Sequence, residues 1–224
     1  MAKKKSQTET TGFENVEQTL SRTEKFIEDN YRQLLYGLAV IVVVVGAIWL
    51  IRMRINSRTD DAHAQMFVAE EYFSKDSINL ALYGDGNYLG FIDIAKEYGA
   101  TKPGNLANYY AGLCFLHAAE YESAIDYLNK FDKKDEAISP LALGCTGDAY
   151  IELGDIDKGL DFYMKAVNFS ENDFYNPIYL MKAGQVYELE DNKEKALEIY
   201  TRIKDEYPES NEGNNIEKYI ARVK

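Results

Sequence analysis

Cysteine and histidine are nearly missing from this 224-residue chain: it holds Cys114 and Cys145, His63 and His117, and no others. A zinc site needs about four such ligands in close array. His117, three residues after Cys114 on one helix face, makes with it at most half a site, so no metal is expected. The two cysteines permit one disulfide, but each falls on an apolar helix position where buried free thiols are common, so they do not decide the compartment. A Gly-rich phosphate loop and a nucleophile elbow are also lacking, and the Asp and Glu residues are spread over helix surfaces. Asp85-Gly86-Asn87 begins like a calcium loop, but Leu89 breaks that pattern. These absences exclude the common routes to catalysis; neither an enzyme nor a cofactor is expected. Positive charge is scarce where it would matter for nucleic acid. Residues 59–224 hold sixteen Lys/Arg against 31 Asp/Glu, whereas residues 1–58 hold nine against six. So acidic a body repels phosphate backbones, and a nucleic-acid partner is rejected.

Long apolar runs are equally scarce, with one exception. From Gln33 to Ile51, QLLYGLAVIVVVVGAIWLI, nineteen residues pass without a charge between Arg32 and Arg52. At 1.5 Å per residue they make a helix of roughly 28 Å, close to the ~30 Å hydrocarbon core of a bilayer. Twelve of the residues from Leu34 to Ile51 are Leu, Ile or Val, and Tyr36 and Trp49 sit near the two ends. A core helix is rarely apolar all round for five turns. A signal peptide does not carry 32 residues ahead of its apolar run, and no small-residue cleavage site follows directly. The stretch reads as one retained span. Lysines and arginines on its two flanks nearly balance; their total favours a cytoplasmic N-terminus, and a long following domain is translocated largely regardless of its charge.

Taken in order, residues 1–12 are a polar tail expected to be disordered. Phe13, Val16, Leu20, Ile27 and Tyr31 recur at three- and four-residue steps, an amphipathic juxtamembrane helix over 13–32. That stripe fits either a dimerising helix, hence a homo-oligomer, or a solvated stalk. After the span at 33–51 comes a charged linker, 52–61. Ala62, Met66, Ala69, Tyr72 and Phe73 then open a degenerate first repeat over 62–103, interrupted by Gly84-Asp85-Gly86-Asn87 and closed by a helix from Tyr88 to Tyr98. Ile216, Tyr219, Ile220 and Val223 mark a capping helix within 211–224.

Between them, over 105–210, the chain repeats itself three times, starting at Asn105, Pro140 and Pro177. Position 8 is Gly112, Gly147 and Gly184, at spacings of 35 and 37 residues. Position 11 is aromatic (Phe115, Tyr150, Tyr187), position 20 small (Ala124, Gly159, Ala196) and position 24 large (Leu128, Tyr163, Tyr200). Two antiparallel helices approach closely only where a small residue faces a large one, so each repeat reads as a helical hairpin. One hairpin cannot bury its own apolar faces, and hairpins therefore stack into a solenoid. The fold class is all-α: a single N-terminal transmembrane helix, then a hairpin solenoid with a C-terminal cap.

This pattern resembles the tetratricopeptide repeat over about half of the chain, with Asn108, Leu143 and Leu180 where that repeat commonly has Trp. The resemblance implies a protein-binding groove lined by the first helix of each repeat at positions 2, 5, 9 and 12. Those positions hold Leu106, Tyr109, Leu113 and Leu116, then Leu141, Gly144, Asp148 and Ile151, then Ile178, Met181, Gln185 and Glu188. The groove would be apolar and aromatic at its N-terminal end and more polar at its C-terminal end. Tyr109, Gly144 and Met181 supply none of the cations by which some members of the family clamp a C-terminal carboxylate. An alternative use for these side chains is packing against the capping helix.

The whole arrangement is similar to the bacterial ancillary Sec-translocon subunit family (YfgM-type), and LYGDGNYLGF and GATKPGNLANYYAG are similar to stretches of its members. The resemblance implies a single-pass inner-membrane protein with a cytoplasmic N-terminus and a periplasmic repeat domain. Its partners would be translocon subunits, exported chains or periplasmic chaperones, met in protein export without chemistry. A self-associating membrane scaffold for envelope assembly is the alternative, and a cytoplasm-facing adaptor follows if the topology is reversed.

Overall fold

The computed structural model describes residues 10–224, with side chains from Asp29 onward. The expected polar tail thus lies outside the described residues over 1–9; the stripe from Phe13 to Tyr31 runs within α1, and the side chains that compose it before Asp29 lie outside those described. Two compact units divide the chain, Met1–Arg54 and Ile55–Lys224. The first consists of the N-terminal part of α1 (Thr10–Ser74). Its uncharged run is helical throughout, and the large apolar side chains on it are exposed, Val43 by 69% and Trp49 by 63%. This helix is long and apolar enough to cross a membrane.

The second unit is built of helices alone, with no strand among the described residues. The end of α1 leads to α2 (Ile78–Tyr83) and α3 (Phe91–Tyr98). Three hairpins follow: α4 (Lys102–His117) with α5 (Tyr121–Lys130), α6 (Ile138–Glu152) with α7 (Ile156–Val167), and α8 (Tyr175–Leu189) with α9 (Lys193–Glu206). A 3-10 turn at Gly213–Asn215 leads into α10 (Ile216–Val223). The architecture is an all-α stack of tetratricopeptide-like hairpins.

Each hairpin closes the same way. The residue at position 15 takes a left-handed backbone: Ala119 at φ 58°, Gly154 at 80° and Asp191 at 56°. The next residue's N–H then reaches back to the carbonyl at position 11, Glu120 to Phe115 (2.9 Å), Asp155 to Tyr150 (2.9 Å) and Asn192 to Tyr187 (2.8 Å). This is a Schellman-type stop, which satisfies carbonyls that the ending helix leaves unpaired. Asp155 and Asn192 then cap the second helix, accepting from Lys158 N and Lys195 N, both at 3.3 Å.

The same stop recurs at the end of α1: Asp76 has φ 59° and Ser77 N–H bonds Tyr72 O at 2.9 Å. Counting back puts Ala62 at position 1, Ala69 at position 8 and Ala81 at position 20, and all three are fully buried. The second helix of this repeat is therefore α2, cut to six residues where Gly84 turns at φ 79°, and not the 88–98 helix that the periodicity indicates. Alanine serves at position 8 because position 24 is Asp85, whose carboxylate is engaged in its own loop by Asn87 N, Tyr88 N and Tyr72 Oη. Helix α3 is an extra element, with Phe91 stacked on Tyr110 of α4 at 5.0 Å. The stretch expected as a linker, 52–61, is helical as part of α1, since it contains no Gly or Pro to stop it. From it Arg58 donates to Glu97 O at 2.6 Å and lies over the Tyr98 ring.

Within the regular hairpins the position-8 glycines face position 24 directly. A Cβ on Gly112 would come within 2.6 Å of Leu128 Cγ, and one on Gly147 within 2.7 Å of Tyr163 Cδ1. At Gly184 the intruding atom would overlap the Tyr200 ring. Between hairpins, Gly144 performs the same service for Tyr179. The last hairpin is sealed by Ile216, Ile220 and Val223 of α10, each 5% exposed or less.

Two substitutions test these constraints. Gly147→Ala overpacks a filled interface and is expected to cost about 1–3 kcal/mol, read as a lower urea midpoint. Ala119→Gly relieves a left-handed backbone on an exposed turn and is expected to add about 0.5–1 kcal/mol of stability once the glycine entropy is subtracted, read as a higher urea midpoint.

Candidate protein-binding groove

The first helices of the repeats present a continuous stripe because positions 2, 5, 9 and 12 fall on one helix face. On α4 the stripe is Leu106, Tyr109, Leu113 and Leu116, all half-buried. Its two ends border different cavities. Leu106 closes a cavity of about 280 Å³ walled by Met66, Phe67 and Pro103, with His63, Glu70 and Lys102 also lining it. Leu116 closes another of about 340 Å³ together with Tyr121, Asp148, Ile151, Glu152 and Lys182.

Position 5 proves to be a packing position more than an open one. Tyr109 packs on Phe131 (ring centroids 5.8 Å apart), and burial pushes its hydroxyl well above the ordinary tyrosine range. Gly144 is covered by Tyr179, and Met181 is 9% exposed, inside the core of the last two hairpins. Leu113 and Ile178 are half-buried and Gln185 is exposed. The notion that these side chains serve the cap holds for one of them: Glu188 accepts from Arg222 Nη2 of α10 at 2.8 Å and from Tyr200 Oη at 3.0 Å.

Asp148 is the polar centre of the face. Lys182 Nζ donates to both of its oxygens at 2.7 Å, and Tyr163 Oη donates to Oδ1 at 2.6 Å. Lys182 also lies 5.8 and 5.9 Å from the Tyr163 and Tyr179 ring centroids. Being half-buried, the ion pair contributes on the order of 1 kcal/mol, so it orients the face more than it stabilises the fold. Burial first, then the bond to Asp148, raises the Tyr163 hydroxyl far beyond any working pH; it is a fixed donor. Next to this cluster Glu152 accepts from Tyr121 Oη at 3.3 Å and meets no Lys or Arg among the described residues. At the other cavity, burial raises the carboxyl of Glu70 above its usual range, against a hydrogen bond from Tyr110 and the charge of His63.

Sequence reasoning missed Met66, Phe67, Tyr121, Glu152 and Lys182. The first two needed the register of the first repeat, which the Ala69 and Ala81 pair supplies only once Asp76 is known to turn left-handed. The others sit one residue off the positions that usually line such grooves, or on a neighbouring helix. Cys114 and Cys145 are free thiols in separate environments, and burial pushes each up to about 12. Among the described residues no group of three or more His, Cys, Asp or Glu converges as metal ligands would, and nothing in the arrangement points to catalysis.

Family models described as tetratricopeptide repeat match residues 147–173 and 179–210. Among solved structures, the crystal structure of nearly identical TPR-like repeats from a kinesin light chain protein of Podosopora anserina is similar in fold. That likeness has a TM-score of 0.55 at 10% identity and covers 72% of this chain and 84% of that one. No curated protein matches the chain.

Two outcomes follow from the charges. With both thiols held near 12, a disulfide reagent at pH about 8 should react with neither Cys114 nor Cys145 until denaturant is added. Arg222 holds the Glu188 carboxyl below its ordinary 4.5. That contact therefore stabilises the folded chain above this value and is lost as pH falls through the lower folded one. Glu188→Gln should flatten the acid side of the stability profile, measured by urea midpoints between pH about 3 and 6.

Proposed function

We propose that this tetratricopeptide-repeat chain is a membrane-anchored, non-enzymatic protein-binding subunit that works beside the secretion channel in protein export. The observation that carries the reading is the pairing of two features in one chain. One is a helix whose nineteen uncharged residues expose their apolar side chains. The other is a stack of hairpins whose first helices expose a face with two cavities and no catalytic constellation. Stripped of a bilayer, the helix would present a dozen Leu, Ile and Val side chains to water. At about 25 cal/mol per Å² of apolar surface, immersion in lipid is strongly favoured. Tethering then raises the local concentration of the repeat domain at the membrane to about the millimolar range, so contacts of modest affinity suffice. Export is favoured over other membrane settings by the similarity of the chain's layout, and of LYGDGNYLGF in particular, to the ancillary translocon subunits.

Two experiments test the reading. Crosslinking in cells followed by detergent extraction should recover the translocon pore proteins with the full-length chain; recovery of none would remove the export assignment. For topology, Glu209→Cys places a thiol on an exposed turn, whereas Cys114 is buried and Cys145 only partly exposed. A membrane-impermeant maleimide should label this variant in intact spheroplasts, and labelling only after lysis would assign the repeats to the cytoplasm.

A further inference from the structure

We infer that the groove selects polypeptide segments carrying an apolar residue and, about 15 Å away, a lysine or arginine; the inference rests on the protein-binding reading above and specifies its ligand. Leu106 and Leu116 lie ten residues apart on one stripe of α4, a rise of roughly 15 Å. Each borders one of the two cavities. The first is mainly apolar, walled by Met66, Phe67 and Pro103, and Phe67 is 69% exposed.

The second cavity is amphipathic and acidic. Leu116 and Ile151 supply an apolar wall against which the methylene stem of a Lys or Arg can lie. Asp148 is matched by Lys182, which leaves the Glu152 carboxylate, held by Tyr121 Oη, as the unmatched charge at its edge. An acidic side chain there would face Glu152 and Asp148 and find its one cation, Lys182, already bonded to both Asp148 oxygens. The field of the body works in the same direction, with sixteen basic residues against 31 acidic over 59–224. An extended segment spans the separation in about four or five residues and a helical one in about ten, so either conformation reaches both cavities.

The test uses the full-length protein in detergent micelles with a photo-crosslinking benzophenone at position 113, between the cavities. The probes are two fluorescent peptides of about fifteen residues, one alternating Leu with Arg and one alternating Leu with Glu. The Leu/Arg probe is expected to crosslink at 113 and to bind at least about tenfold more tightly than its acidic twin. Glu152→Gln should weaken it about fivefold or more, while Glu198→Gln, which removes the same charge from an exposed face of α9, should leave it nearly unchanged. Circular dichroism confirms the fold of both variants. Equal losses from both variants would reduce the preference to net charge and overturn the site. Equal binding of both probes with crosslinks at 113 would overturn the cationic preference and leave the groove reading standing. Absence of crosslinks from either probe would overturn both.

Discussion

The second unit of this protein depends on a missing side chain. At position 8 of each regular hairpin a glycine lets the first helix lie directly against the large residue at position 24 of the second: Gly112 on Leu128, Gly147 on Tyr163, Gly184 on Tyr200. Interiors packed to crystal-like density have no slack for even one methyl group there. The close approach sets the separation of the two helices, which in turn sets how the next hairpin docks. Gly144 extends the rule across hairpins by admitting the Tyr179 ring. Where the opposing side chain is engaged elsewhere, as Asp85 is in the first repeat, alanine stands at position 8.

The same aromatic residues join the core to the face. Tyr163 fills the space over Gly147 with its ring and, with its hydroxyl, holds Asp148 on the first helix of the same hairpin. Tyr200 does likewise for Gly184 and Glu188. A buried tyrosine hydroxyl needs an acceptor, and in both hairpins it finds a carboxylate close in sequence to the glycine that its ring covers. Carboxylates are thereby oriented toward the face by residues whose first duty is packing. Lys182 and Arg222 then answer two of these acids from the adjoining hairpin and from the cap. The polarity of the groove is in this sense a by-product of how the core is filled.

Anchor and repeats make separate demands on the sequence. The anchor needs only an uninterrupted apolar run of the right length, so its composition is nearly degenerate, with Val repeated four times from Val42 to Val45. Repeats need particular residues at particular spacings, and this is where glycine and tyrosine are concentrated. Residues 52–61, a charged stretch without Gly or Pro, are helical, and Arg58 joins that segment to α3.

Much of this was legible in the residues. Length and apolarity alone mark the span, because a bilayer asks nothing else of a helix. The three regular hairpins follow from the Gly–aromatic–small–large spacing, since that spacing is a direct image of helix-on-helix contact. Tertiary structure decided the rest. The first repeat's register rests on a left-handed Asp76, a backbone choice that aspartate tolerates but does not announce. Whether position 5 lines a groove or a core depended on which neighbour arrives, as Tyr109, Gly144 and Met181 found Phe131, Tyr179 and the last hairpin's core. The charge of the face was least readable of all: Glu152 stands unmatched and Asp148 matched only because Lys182, 34 residues beyond Asp148, is brought to one of them by stacking. Periodicity in a chain records the contacts each helix makes with its own partner, whereas pairings between repeats depend on a rotation that no single repeat encodes.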